Sequence, residues 1–69
     1  VTDRTVAPGQ VWRHYKGGFY FIVAVAKHTE TEEQFVIYRL TSASAEFWAR
    51  PLAMFLSSVG EQMRFARVR

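Results

Sequence analysis

Residues 19–26 read Phe-Tyr-Phe-Ile-Val-Ala-Val-Ala, eight apolar side chains in succession, six of them aromatic or β-branched. Such a composition favours extended backbone, and eight residues fall far short of the ~20 needed to span a bilayer. Turn chemistry brackets the run, with Gly17-Gly18 before it and the polar stretch His28-Thr29-Glu30-Thr31-Glu32-Glu33 after it. The segment 19–27 is therefore predicted to be a strand. Simple alternation puts Tyr20, Ile22, Ala24 and Ala26 on one face and Phe19, Phe21, Val23 and Val25 on the other. Both faces are apolar, whereas a half-buried strand alternates apolar with polar. Either the strand coils hard enough to feed both halves of one core, or one face meets a second copy or a neighbouring domain. Phe19, Phe21, Val23, Phe35 and Ile37 are the candidate interface for the second case, centred on Phe21 with Phe35 or Ile37.

The same punctuation divides the rest of the chain. Turn signals near Gly17-Gly18, residues 31–33, residues 42–44 and Gly60 leave strand-length runs at 10–14, 34–40, 47–50 and 63–68. Pro51 is read as stopping the fourth strand, because proline cannot donate to a central ladder. It also suits the first position of a helix, and Leu52, Phe55 and Leu56 recur at helical spacing, so residues 51–56 are predicted to form one helical or 3₁₀ turn. Residues 1–8 read as an arm ending in a Pro8-Gly9 turn, and 9–69 as a single domain. With 69 residues there is room for one hydrophobic core, and with no cysteine it holds without disulfides. The expected fold is all-β: a small SH3-like five-stranded antiparallel barrel with one helical turn before its last strand. Closure into a barrel also protects the strand edges.

The net charge of +3 is concentrated in Arg64, Arg67 and Arg69, because residues 1–62 carry six bases and six acids. That pattern reads as a solvated terminal strand or tail, and it limits nucleic-acid binding to a weak, sequence-blind kind. No amino-terminal signal pattern is present in Val1-Thr2-Asp3-Arg4, and a cytoplasmic location is the expectation. Catalysis is not expected. The serines at 42, 44, 57 and 58 sit in turns without a glycine elbow or a local base, and Lys16-Gly17-Gly18 lacks phosphate-loop spacing. His14 and His28 are the only histidines and occur in no ligand pattern, so neither a metal nor a cofactor is expected.

What the chain offers instead is a recognition rim. Arg13, His14, Tyr15 and Lys16 come from the first loop, His28, Thr29 and Glu30 from the second, with Arg39, Trp48 and Arg50 beneath. Arg39 and Arg50 each interrupt an apolar strand. Such an arginine either pairs with Glu30 or Glu46 and stacks on Trp48 or Tyr38, or clamps an anionic group. Trp12, Tyr15 and Trp48 are either core residues or an aromatic platform.

Four blocks carry a family pattern: Trp12-Arg13-His14-Tyr15-Lys16-Gly17-Gly18, His28-Thr29-Glu30-Thr31, Val36-Ile37-Tyr38-Arg39 and Trp48-Ala49-Arg50-Pro51-Leu52-Ala53-Met54-Phe55. In this order they resemble the bacterial domain-of-unknown-function family sixteen fifty-three. Phe19, Phe21 and Val23 are more apolar than that pattern, and Ser57-Ser58 replaces a usually acidic segment. The resemblance implies a compact β-barrel and brings no established reaction. The expected function is non-catalytic recognition of a polar or anionic group, the partner being a small anion or a protein. The alternatives are a nucleotide or other small-anion binder, a weak nucleic-acid module, or a structural or oligomerisation domain.

Overall fold

The computed structural model describes residues 5–42 and 45–68. Residues 1–4 of the expected arm, Arg69 and part of the expected 42–44 turn lie outside the described residues. The elements run β1 (Val11–His14), β2 (Phe19–Lys27), β3 (Gln34–Leu40), β4 (Trp48–Pro51), α1 (Leu52–Phe55), β5 (Ser58–Val59), β6 (Gln62–Met63) and β7 (Phe65–Val68). Five strands form one antiparallel half-barrel sheet in the order β4-β3-β2-β1-β7, and β5 pairs with β6 in a small separate hairpin.

The all-β reading stands, with three corrections. First, the expected strand 63–68 is broken at Arg64, whose N–H donates to the Ser57 carbonyl and whose carbonyl accepts from the Tyr15 N–H. Both backbone groups are thereby taken out of a ladder, and three short strands rather than one follow the helical turn. Second, Pro51 closes β4 as its last residue instead of stopping it from outside. β4 is an edge strand, where a missing N–H costs no ladder bond. Third, the β2–β3 register slips between Ile22 and Ala24, a β-bulge that inserts one extra residue into β2. Beyond it Val25 pairs with the buried Val36, so it lies on the core side and not with Phe19 and Phe21.

The core consists of Trp12, Ile22, Val36, Tyr38, Phe55 and Phe65, with Val6, Tyr20, Leu52 and Leu56 packed against it. Register explains the set: Trp12 lies opposite Tyr20, Ile22 opposite Tyr38, and His14 opposite Phe65, so one side of the sheet is lined with rings. Phe55 of α1 stacks on Phe65 of β7 at 4.0 Å and 9° between planes, and Trp12 meets Phe55 edge-on at 5.3 Å. These contacts draw α1 and β7 together over the concave side, where β4 and β7 make no ladder with each other. The Trp12 indole N–H donates to Gln10 Oε1 at 2.8 Å, and the same oxygen accepts from the Ala7 N–H at 3.0 Å. Gln10 thus satisfies the buried indole and fixes the turn that leads into β1.

Two stability changes follow. Phe65→Ala removes a ring packed against the rings of His14, Tyr20, Tyr38 and Phe55, and it is expected to cost ~3–5 kcal/mol in urea unfolding, with Phe65→Leu costing clearly less. Glu32 holds φ at 63°, a left-handed conformation that side chains with a Cβ adopt at a cost. Glu32→Gly is expected to raise stability by roughly 0.5–1 kcal/mol, read as a higher urea midpoint at unchanged slope.

Candidate functional site

The first hairpin is built by its glycines. Gly17 and Gly18 have φ of 100° and 85°, and the Gly17 N–H donates to the His14 carbonyl at 2.8 Å while the His14 N–H donates to the Gly18 carbonyl at 3.0 Å. This tight return brings Tyr15 and Lys16 back beside His14. The imidazole packs against Tyr15 at 4.7 Å, Phe65 at 4.9 Å and Tyr20 at 6.4 Å between ring centres. The Lys16 N–H donates to His14 Nδ1 at 3.2 Å, which assigns the proton of the neutral ring to Nε2.

Arg50 reaches the same region from β4. Its position opposite Val36 puts it on the core side of the sheet, where Nε donates to Tyr38 Oη at 3.2 Å and the guanidinium lies 5.6 Å from the centre of the Phe65 ring. Arg64 arrives from the break between β6 and β7, and its Nε donates to Ser57 Oγ at 3.3 Å. Ser57 in turn donates its hydroxyl proton to the Met54 carbonyl. Each guanidinium is thus held through Nε by a hydroxyl oxygen, and among the described residues its two terminal nitrogens make no hydrogen bond. Among the described residues no carboxylate lies within 4.0 Å of Lys16, Arg50 or Arg64. Burial pushes the His14 pKa below its ordinary value of 6.5, and the positive charges of Arg50, Arg64 and Lys16 push it further the same way. The cluster is a cationic rim on an aromatic wall.

The ten rim residues read from the sequence separate into three places. His14, Tyr15, Lys16 and Arg50 come together as described. Trp48 stands two residues from Arg50 on the same strand, opposite Tyr38 and 48% exposed. Arg13 and Arg39 lie on the opposite, outer side, paired with Phe19 and Phe21 respectively. The Arg39 guanidinium sits 4.8 Å over the Phe21 ring and donates to the Leu40 carbonyl at 3.3 Å. Arg39 and Arg50 therefore do not share a rim, and neither forms the expected ion pair with Glu30 or Glu46. His28, Thr29 and Glu30 occupy the hairpin at the far end of β2, about 25 Å away at the usual rise per residue. There His28 Nδ1 accepts from the Glu30 and Thr31 N–H groups at 3.1 and 3.3 Å and caps its own turn.

Sequence reading missed Arg64, Ser57 and Tyr20 as members of the cluster, and it named Tyr38 only as a surface on which an arginine could stack, where the contact to Arg50 is a hydrogen bond. Arg64 was grouped with a terminal basic segment, and nothing in Met63-Arg64-Phe65 signals the break that turns it inward. A groove of about 680 Å³ runs between Ala7–Val11 and Arg67-Val68 and shares no residue with the cluster. Among the described residues, no group of three His, Cys, Asp or Glu is placed to hold a metal ion, and no helix is long and apolar enough to cross a membrane.

The family model "Protein of unknown function (DUF1653)" matches residues 10–67. The chain belongs to the DUF1653 family. It is also similar to the crystal structure of a DUF1653 protein from Bordetella bronchiseptica, at 37% identity and a TM-score of 0.76, covering 94% of this chain and 90% of that one. A comparison with curated proteins finds no match. The DUF1653 match spans every residue of the cationic cluster, from His14 to Arg64.

A lowered histidine pKa has a definite consequence for stability. The folded state holds the His14 proton less tightly than the unfolded chain, so protonation favours unfolding. The stability that depends on neutral His14 is full above about pH 6.5 and is lost as pH falls through the lowered folded value. Urea midpoints measured between pH 7.5 and 5.5 are expected to fall with acidification, and His14→Gln is expected to flatten that fall.

Proposed function

We propose that this DUF1653 domain is a non-catalytic recognition module, built as an SH3-like barrel, that binds an anionic group at the rim formed by Lys16, Arg50 and Arg64 around His14. The observation that carries this reading is the pair of arginines tethered through Nε to Tyr38 Oη and Ser57 Oγ, with no carboxylate within 4.0 Å among the described residues. A guanidinium held in this way keeps its terminal N–H groups available and has already lost part of its rotamer freedom, which lowers the entropic cost of binding. Two such groups and an ammonium match a tetrahedral oxyanion, with its several acceptor oxygens, better than a single carboxylate. A chemical role is disfavoured because the Ser57 hydroxyl gives its proton to a backbone carbonyl and accepts from an arginine, so no base activates it. The half-exposed Trp48 favours a second reading, in which a nucleotide sets its phosphate on the arginines and its base on the indole.

Titration with inorganic phosphate and with a nucleoside monophosphate, followed by amide chemical shifts, tests the site. Shifts are expected at Lys16, Gly17 and Arg64. Arg50→Gln and Arg64→Gln are each expected to weaken binding by ~10- to 100-fold, the loss of charge-assisted hydrogen bonds. Arg13→Gln and Arg39→Gln, on the other side of the sheet, are expected to leave it unchanged. Binding that survives both site variants, or falls equally with Arg13→Gln, counts against the reading. With sulfate, whose charge does not change in this range, binding is also expected to tighten as pH falls from 7.5 to 6, because an anion stabilises the His14 imidazolium, and His14→Gln is expected to remove that dependence.

A further inference from the structure

The outer side of the sheet carries a pattern that neither the core nor the cationic rim uses. Along β3 the residues on that side are Phe35, Ile37 and Arg39, paired with Ala26, Ala24 and Phe21 of β2. Two-residue alternation continues the row back to Glu33, whose carbonyl still accepts from the His28 N–H at 2.8 Å. Outward along β3 the chain therefore reads acid, phenylalanine, isoleucine, base. This order is self-complementary when reversed. A two-fold axis at the level of Val36 sets Glu33 against the Arg39 of a second copy, and Phe35 against its Ile37.

We propose that this face is an interface for a second copy of the chain, in an antiparallel arrangement fixed by the row Glu33, Phe35, Ile37 and Arg39. Shape agrees with charge. Ile37 stands between Ala24 and Ala49, and Phe35 between Ala26 and Pro51, so each larger side chain is flanked by shallow ground that can seat its counterpart. A two-fold contact of this kind closes on itself and limits assembly to a dimer. Other registers are opposed, since sliding the copies until Arg39 meets Arg39 places like charges together. Arg13, at the Arg39 end of the sheet, and Glu30 and Glu32, in the hairpin at the Glu33 end, extend the same polarity. The sheet is a half-barrel and its outer side is convex, so two copies touch along β3 and the near edges of its neighbours β2 and β4 only. At ordinary strand spacing the contact is roughly 20 Å by 12 Å, which belongs with small, transient interfaces and not with permanent dimers.

Sedimentation equilibrium from 10 µM to 1 mM, on the unmodified chain and on Glu33→Arg and Arg39→Glu, tests the proposal. The unmodified chain is expected to dimerise reversibly with a dissociation constant of order 100 µM, in keeping with so small an interface. Each single variant is expected to weaken its own dimer at least tenfold, because both contacts become like-charged. A one-to-one mixture of the two variants restores opposite charges at both contacts and is expected to associate at least as well as the unmodified chain. Ala49→Asp, at an exposed position beside Ile37, is expected to abolish association and serves where Arg39→Glu does not fold. A chain that stays monomeric at 1 mM, a mixture no tighter than its components, or a dimer indifferent to Ala49→Asp overturns the proposal.

Discussion

The ring of Phe65 belongs at once to the core and to the candidate site, and most of the domain depends on where it sits. Phe55 stacks on it, Tyr20, Tyr38 and His14 meet it edge-on, and the Arg50 guanidinium lies near it. Since β4 and β7 do not bond to each other, this packing, and not a continuous ladder, draws the concave side together. A chain of this size hides only about 60% of its unfolded surface. Large flat rings suit that limit, because each removes much area from water at little rotamer cost and gains further from edge-on contact. Rings drawn from β1, β2, β3, α1 and β7 therefore make the core without a disulfide.

The same economy explains why the site lies at the edge of the core. Tyr38 is buried, and its hydroxyl accepts from Arg50. A buried phenol needs a partner, and the guanidinium that supplies one is fixed in return. Ser57 and Arg64 repeat the arrangement at the surface. The cost falls on His14, whose imidazolium is disfavoured by burial and by the positive charges of Arg50, Arg64 and Lys16. The charges of this cluster repel one another, and among the described residues no acidic side chain within 4.0 Å neutralises them.

The sequence made β2 and β3 legible to the residue, because aromatic and β-branched side chains ended abruptly in glycines and in a polar loop. The glycine hairpin that shapes the His14 loop was readable for the same reason. What stayed hidden was register. Nothing in Phe21-Ile22-Val23-Ala24-Val25 announces a bulge, since every residue there is apolar and either parity looks acceptable. The error with Arg39 and Arg50 has this origin too. Each was recognisable as a charge in an apolar strand, but only the pairing of Val36 with Arg50, and of Phe21 with Arg39, decides that they face opposite ways. Arg64 escaped notice because the interruption that turns it inward is made by distant partners, Ser57 and Tyr15.

β3 is consequently the strand on which the two faces meet. Tyr38 points its hydroxyl to Arg50 on the concave side, and the next residue, Arg39, lies over Phe21 on the convex side. Adjacent residues of one strand thus lie on opposite faces of the sheet, with a single peptide unit between them. The charge at Arg39 is separated from the cationic rim by the packed layer of Ile22, Val36 and Tyr38. Any influence of one face on the other must pass through a displacement of β3 itself. The strand is ill suited to such movement. It is paired along both edges, its Val36 and Tyr38 are buried, and Phe55 and Phe65 hold Tyr38 in place at 5.6 Å each. In a half-barrel built in this way, a change on one side of β3 has no ready path to the other.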